Sequence, residues 1–289
     1  MTVNHNSDPT ISYADLHIHS YFSDGFLSPT QVVEYASKSG LRAISLTDHD
    51  TVEGLDEAIA AGAVFNVEVI TGIELSATID DRDIHILGYL FDHHDENFRK
   101  QVDLYRRERV NRAEKIVRKL NKFGVHVDMD QVMARAGKGA VGRPHIADAV
   151  VLAGFAKDTH SVFRDFLGYG GSAYEDKYKI SPEVAIRLIR EAGGVSFLAH
   201  PSFGMKQKYL QQLISSGVSG IECTHPKHTP EASLYFQNIV QRHHLLQSGG
   251  SDCHARDGNI FIGKFPVHYS MIEKMKLQAA YNSNTSSAT

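Results

Sequence analysis

Apolar and polar positions follow a repeated phrase along much of this chain. Ser28-Pro29 opens an amphipathic stretch that runs to Ser39 and stops at Gly40, and Arg42 to Leu46 then reads as a short apolar strand. The punctuation has a physical basis. A Ser hydroxyl accepts from orphan N–H groups of a first helical turn, Pro fits that turn, and Gly takes the left-handed geometry of a helix end. Ser181-Pro182 repeats the device before a helix to Ala192, followed by Gly193-Gly194 and a strand from Val195 to Ala199. Thr229-Pro230 repeats it before a helix to about His244 and a strand from Leu245 to Ser248. Lys208 to Ser216 reads as helix and Gly220 to Cys223 as strand. Val67 to Leu75 and Ile84 to Leu90 are further strands.

Helix and strand alternating over short connections predict βα units around a mainly parallel sheet. In a closed βα barrel the reacting groups collect where strands end. Polar clusters fall at those places here: Thr47-Asp48-His49, Glu74, His200, and Asp252 with His254. The middle breaks the pattern. From Glu96 to about Lys179 there is little strand signal. Phe98, Val102, Tyr105, Ala113, Ile116, Val117, Leu120 and Phe123 keep a helical period that ends at Gly124. Asp128 suits the cap of a short helix to Ala136, and another helix is expected from near Pro144. The expected layout is an α/β barrel in two pieces, 12–95 and 180–275. An all-helical insertion, 96–179, covers the active site, and the termini 1–11 and 282–289 are flexible.

Composition narrows the class. Hydrophobic residues make up 42% and charged residues 22%, which predicts a folded, soluble chain. No apolar run approaches the roughly 18–20 residues of a membrane span. The first ten residues lack a signal-peptide pattern. The two cysteines, Cys223 and Cys253, give no disulfide framework, so a cytoplasmic setting is expected. No membrane association and no obligate protein partner are indicated. The 17 histidines raise the expectation of a metal site built from nitrogen and oxygen donors. Between 96 and 145, 13 Lys/Arg stand against 6 Asp/Glu, in a chain of net charge −4. A basic cap over an acidic barrel suits an anionic substrate. The alternative is that Arg106, Arg107, Arg109 and Lys115 form the solvated face of a long helix.

The candidate chemistry begins at Asp15-Leu16-His17-Ile18-His19. Residues two apart on a strand share a face, so His17 and His19 can converge on one cation. Asp24 follows. His49 is the donor expected from Thr47-Asp48-His49-Asp50, with Asp48 orienting a ligand from behind. Glu74 can bridge two cations, one through each oxygen. His85 lies between aliphatics, where a histidine is more often a packed core residue. His200 follows a strand. Asp252 and His254 again share a face, with Cys253 turned into the packing, and Cys223 reads as packing too. His145 and His225 are candidates for the acid that protonates a leaving group.

Read in order, these motifs resemble the PHP (polymerase and histidinol phosphatase) family, in its branch of nucleotide and nucleic-acid phosphoesterases. The resemblance runs from Asp15 to about Gly263. It implies a distorted seven-stranded βα barrel with two to three divalent cations. His17, His19, Glu74 and Asp252 would hold one, Asp24, His49 and His254 a second, and Glu74, His85 and His200 a third. Some relatives carry His where this chain has Asp24; the harder oxygen donor leans toward Mn²⁺ or Fe²⁺ over Zn²⁺, with Mn²⁺ the first expectation and Fe²⁺ or Zn²⁺ the others. Val141-Gly142-Arg143-Pro144-His145 and the insertion are similar to those of bacterial enzymes that remove the 3′-phosphate from nucleoside 3′,5′-bisphosphates, by hydroxide generated on the metals. Arg143 and His145 would then bind the phosphate, the alternative for Arg143 being a brace within the insertion. Other relatives are 5′-to-3′ exonucleases on short RNA. The expected partner is thus a small phosphorylated nucleotide or a short oligonucleotide. The rivals are a histidinol-phosphate phosphatase, an amidohydrolase (which also begins with H-x-H on a barrel strand), and a nucleic-acid-binding module with one structural metal.

Overall fold

The computed structural model describes residues 12–286. The first half runs β1 (Tyr13–Ile18), α1 (Pro29–Lys38), β2 (Ala43–Leu46), α2 (Leu55–Phe65), β3 (Glu68–Ile79) and β4 (Arg82–Tyr89). The helical block comprises α3 (Glu96–Lys122), α4 (Met129–Ala136), α5 (Arg143–Leu152) and α6 (Thr159–Val162), the last followed by a π-turn at Phe163–Leu167. The chain then returns through α7 (Pro182–Glu191), β5 (Val195–Leu198), α8 (Gln207–Ser215), β6 (Gly220–Thr224), α9 (Pro230–Arg242), β7 (Leu246–Gly249), β8 (Val267–His268) and α10 (Ser270–Ser286).

The strands form one sheet in the order β7-β6-β5-β4-β3-β2-β1-β8. β1, β2 and β3 are mutually parallel, as are β5, β6 and β7, while β4 runs antiparallel to both neighbours. The sheet nearly closes where the chain after β7 meets the end of β1. Ile18 and Cys253 form a parallel bridge, and Asp252 N–H donates to the His17 carbonyl at 2.8 Å. Gly250 permits that approach, because a Cβ there would stand 2.4 Å from the His17 nitrogen. The departure from an all-parallel barrel has a local cause. Only Asp80-Asp81 separates β3 from β4, and both have positive φ (44° and 59°), the hairpin geometry that no βα crossover allows. His85, near the start of β4, therefore lies at the same end of the barrel as the ends of the parallel strands.

The helices start where side chains satisfy their first N–H groups. Ser28 and Gln31 cap α1 reciprocally, Asp128 and Gln131 do the same for α4, and Asp95, Ser181 and Thr229 cap α3, α7 and α9. Helix α3 serves two cores. Its first half buries Phe98, Val102 and Tyr105 with the barrel aliphatics. Its second half buries Ala113, Ile116, Val117 and Leu120 against Val132, Ile146, Val150 and Leu167 of the block. Helix α10 runs to Ser286, and the Asn282 amide donates to the Gly194 carbonyl at 3.0 Å. Residues 1–11 and 287–289 lie outside the described residues.

Candidate metal centre

The strand ends bring the candidate donors together around Glu74, whose carboxylate is buried. One oxygen, Oε2, lies 3.2 Å from His17 Nε2, His19 Nε2 and His49 Nδ1. The other, Oε1, lies 2.6 Å from His85 Nδ1 and 2.9 Å from His200 Nε2. Asp252 Oδ1 stands 3.5 Å from His17 Nε2 and 3.2 Å from His19 Nε2. Four donors with such spacing match the edges of a tetrahedron around a cation held at roughly 2.0–2.2 Å. Asp24 Oδ1 sits 3.2 Å from His254 Nε2 and 3.9 Å from His49 Nε2 and from His19 Nδ1. All nine expected ligands thus meet in one cluster.

The chemistry of the donor set fits cations. Among the described residues, His19 Nε2, Asp24 Oδ1, His49 Nδ1 and His85 Nδ1 are buried without a hydrogen-bond partner. Buried polar atoms are ordinarily paired, so four orphans converging at one place mark a ligand site. Burial acts against charge on Glu74, Asp24 and Asp252, yet the surrounding imidazoles hold all three carboxyls well below the ordinary value. Burial pushes His49 down to about 3 and lowers His85, which leaves neutral imidazoles. His19 goes the other way: burial opposes its charge, but the Asp252 and Glu74 carboxylates, each 3.2 Å from its Nε2, take it up to about 10. A cation bound there takes the place of that proton.

A surrounding layer orients the donors. Glu222, fully buried, bonds His17 Nδ1 at 2.9 Å and accepts the His200 backbone N–H at 2.6 Å, so His17 presents Nε2 to the cluster. Asp48 accepts from Ser20 N–H, Ser20 Oγ and Ser23 Oγ, and Ser23 Oγ lies 3.3 Å from His19 Nδ1. Asp15 accepts N–H groups of Ser251 and Gly263 and fixes the turn that carries Asp252. Asp50, His200 and Asp252 all have positive φ (50°, 25° and 49°), a cost of about 1–3 kcal/mol each that the surrounding packing enforces.

The other candidates are placed differently. His225 Nδ1 accepts the Lys227 N–H at 3.1 Å, and its Nε2 lies 3.1 Å from Asp252 Oδ2. His145 Nδ1 accepts the Gly142 N–H that opens α5, and burial lowers its pKa. Arg143 donates to the Leu167 carbonyl and lies 3.7 Å from Asp83, and it also lines a pocket shared with Asp24, His49 and His85. Three further cations line that pocket. Arg109 bonds Asp50 at 2.7 Å, Lys177 stands 3.2 Å from Asp83, and Arg112 has a buried Nη2 with no hydrogen-bond partner. Burial, with Arg143 and Arg109 nearby, pushes Arg112 down to about 10. Burial likewise lowers Lys177. Arg109 thus turns inward, while Arg107 and Lys115 on the same helix are exposed.

Glu222 and Lys177 carry no sequence signal: Glu222 stands between Ile221 and Cys223, and Lys177 lies in an irregular segment. Arg112 carries a hint, in the basic run of α3.

A nearly closed α/β barrel with buried carboxylates and imidazoles at its strand ends defines a metal-dependent hydrolase. The PHP domain model matches residues 15–186, and the chain belongs to that family. Two relatives cover most of it. A 5′-3′ exoribonuclease of Haemophilus influenzae is 35% identical over 86% of this chain and 93% of its own length. A 3′,5′-nucleoside bisphosphate phosphatase of Chromobacterium violaceum is 33% identical over 83% and 87%. A crystal structure from Bifidobacterium adolescentis, assigned as a metal-dependent phosphoesterase, superposes with a TM-score of 0.84 at 29% identity, over 93% of this chain and 96% of that one. The protein is a metal-dependent phosphoesterase, a phosphoric ester hydrolase.

Proposed function

We propose that this chain removes the 3′-phosphate of nucleoside 3′,5′-bisphosphates. The observation that carries this reading is the pocket in which Arg109, Arg112, Arg143 and Lys177 face the donors Asp24, His49 and His85. The four cations exceed the acids that pair with them, Asp50 and Asp83, and the Arg112 Nη2 is unspent. A substrate with one phosphate at the metals and another a ribose away satisfies both. Tyr105, Phe163 and Tyr178 supply aromatic walls for the nucleoside between them.

Two to three divalent cations, manganese foremost, would be held by His17, His19, Glu74 and Asp252, by Asp24, His49 and His254, and by Glu74, His85 and His200; when bound they lower the pKa of water toward ~7 and offset charge on the phosphoryl oxygens. Arg143 clamps the phosphate through its planar fork. His145, with Nδ1 held by the Gly142 N–H, keeps its proton on Nε2 and offers it to the substrate. His225 positions Asp252. The helical block would wall the pocket on one side, through Arg109, Arg143 and Phe163.

The second reading, favoured by the name of the Haemophilus relative, is a 5′-to-3′ exonuclease on short RNA or DNA, in which the same cations hold a 5′-phosphate. With manganese present, phosphate release should be fastest from nucleoside 3′,5′-bisphosphate, ahead of nucleoside 5′-monophosphate and histidinol phosphate. Faster release of mononucleotides from 5′-phosphorylated tetranucleotides would replace the first reading by the second.

A further inference from the structure

We infer that Asp56, His93 and His94 form a separate transition-metal site at the root of the helical block. Asp56 lies in the first turn of α2, and the two histidines occupy the turn between β4 and α3. His93 Nε2 stands 2.8 Å from Asp56 Oδ1, and His94 Nε2 stands 3.4 Å from the same oxygen. The three donor atoms all lie within 4.8 Å of one another.

Hydrogen bonding alone accounts poorly for this arrangement. His93 already satisfies Asp56 Oδ1, and 3.4 Å is long for a second bond to it. The two imidazole rings lie side by side, with centroids 4.0 Å apart, so both can serve one ion. A tetrahedral cation with donors at roughly 2.0–2.1 Å has donor–donor edges of roughly 3.3–3.4 Å. Two of the three edges, 2.8 and 3.4 Å, lie near that value and the third is within 4.8 Å, so a cation enters by side-chain adjustment alone.

The donor set selects the ligand. Two imidazoles and one carboxylate suit Zn²⁺, Ni²⁺ or Cu²⁺ and disfavour Mg²⁺ and Ca²⁺, which take oxygen shells. The side chains of Asp56 and His94 are 69% and 62% exposed, and that of His93 is 11% exposed. One ligand is therefore anchored and two face water, which leaves the remaining coordination positions to solvent and makes the bound ion exchangeable.

The location gives the site a consequence. Nearby, Arg99 of α3 bonds Glu53 at 2.9 Å and donates to the His93 carbonyl, so the root is already tied by weak exposed contacts. A cation joining α2 to the turn before α3 would tie it more firmly. Helix α3 carries Arg109 and Arg112 into the pocket, so the ion would steady their placement without touching substrate.

The test is metal content after equilibrium dialysis against micromolar zinc. Wild type should hold one equivalent more than Asp56→Asn or His94→Ala. Glu74→Ala should lose zinc from the barrel centre and keep that extra equivalent. Equal zinc in wild type and His94→Ala overturns the proposal, whatever substrate the enzyme takes. Nickel titrated into isotope-labelled Glu74→Ala protein gives a readout that needs no surface variant. Paramagnetic broadening of the amide signals of Asp56, His93 and His94 is expected, and signals that stay sharp there overturn the site.

Discussion

The two ends of the barrel treat buried and half-buried charge in opposite ways. At the end where the strands begin, Glu68, Tyr269, Lys276 and Arg42 satisfy one another. Lys276 Nζ bonds Glu68 at 2.5 Å, the Tyr269 hydroxyl donates to Glu68, and the Arg42 guanidinium stacks 3.7 Å over the Tyr269 ring. At the end where the parallel strands finish, His19, Asp24, His49 and His85 each keep an orphan buried atom, and Arg112 adds another at the rim. Both ends are polar, so polarity alone does not mark the site. What distinguishes it is that its polar groups are complementary to something other than each other. The buried donor cluster is weak evidence for stability, because desolvation of its charges offsets the attraction between its carboxylates and imidazoles.

The largest expected effect separates the ends outright. Glu74→Ala should lower phosphate release by ~10³-fold or more, since both of its oxygens serve the cluster. Asp252→Ala should abolish turnover likewise. Circular dichroism should show both variants folded, and metal analysis should show fewer equivalents. A folded Asp252→Ala enzyme with full activity would remove Asp252 from the ligand set.

Next comes the rim of the same end. Arg112→Ala or Lys177→Ala should raise KM for the bisphosphate about 10–100-fold, the worth of a charge-assisted hydrogen bond. A substrate with only the scissile phosphate should lose little. Equal losses on both substrates would place the two cations at the reacting phosphate. Glu222→Gln tests the supporting layer. Its carboxylate fixes His17 Nδ1, so metal affinity or activity should drop by about 10–100-fold, read by metal titration.

The smallest effect belongs to the opposite end. Burial would raise the Glu68 carboxyl, but Lys276 and Tyr269 hold it below its ordinary value. A depressed pKa contributes stability above the unfolded value of about 4.3, and that contribution is lost as pH falls through the folded pKa. The Tm gap between wild type and Glu68→Gln should therefore be present at pH 7 and shrink as pH drops below about 4. Because the pair is partly exposed, the gap should correspond to less than about 1 kcal/mol. A gap that widened in acid would show Glu68 to be protonated in the fold.

The donor types and most of their positions were legible along the chain. His17 and His19 alternate on β1, and Asp252 and His254 repeat that spacing after β7. Caps at Ser28, Ser181 and Thr229 announced the helices that separate the strands. These are local signals, because a strand's side chains alternate and a helix must satisfy its first N–H groups within a few residues. The antiparallel course of β4 is not legible in the alternation of helix and strand, although the Asp80-Asp81 turn that produces it stands in the chain. That course is what aims His85 at Glu74.

By itself, then, the sequence determined which cation-donor types the chain carries and that His49, His200, Asp252 and His254 follow strands. Tertiary structure alone decided that Glu74 shares its two oxygens among five imidazoles, that Glu222 stands behind His17 from 205 residues away, and that Arg112 and Lys177 join one pocket. The reason is range. Periodicity and capping act over a few residues, whereas desolvation and Coulomb pairing act through space and leave no trace in the order of the chain.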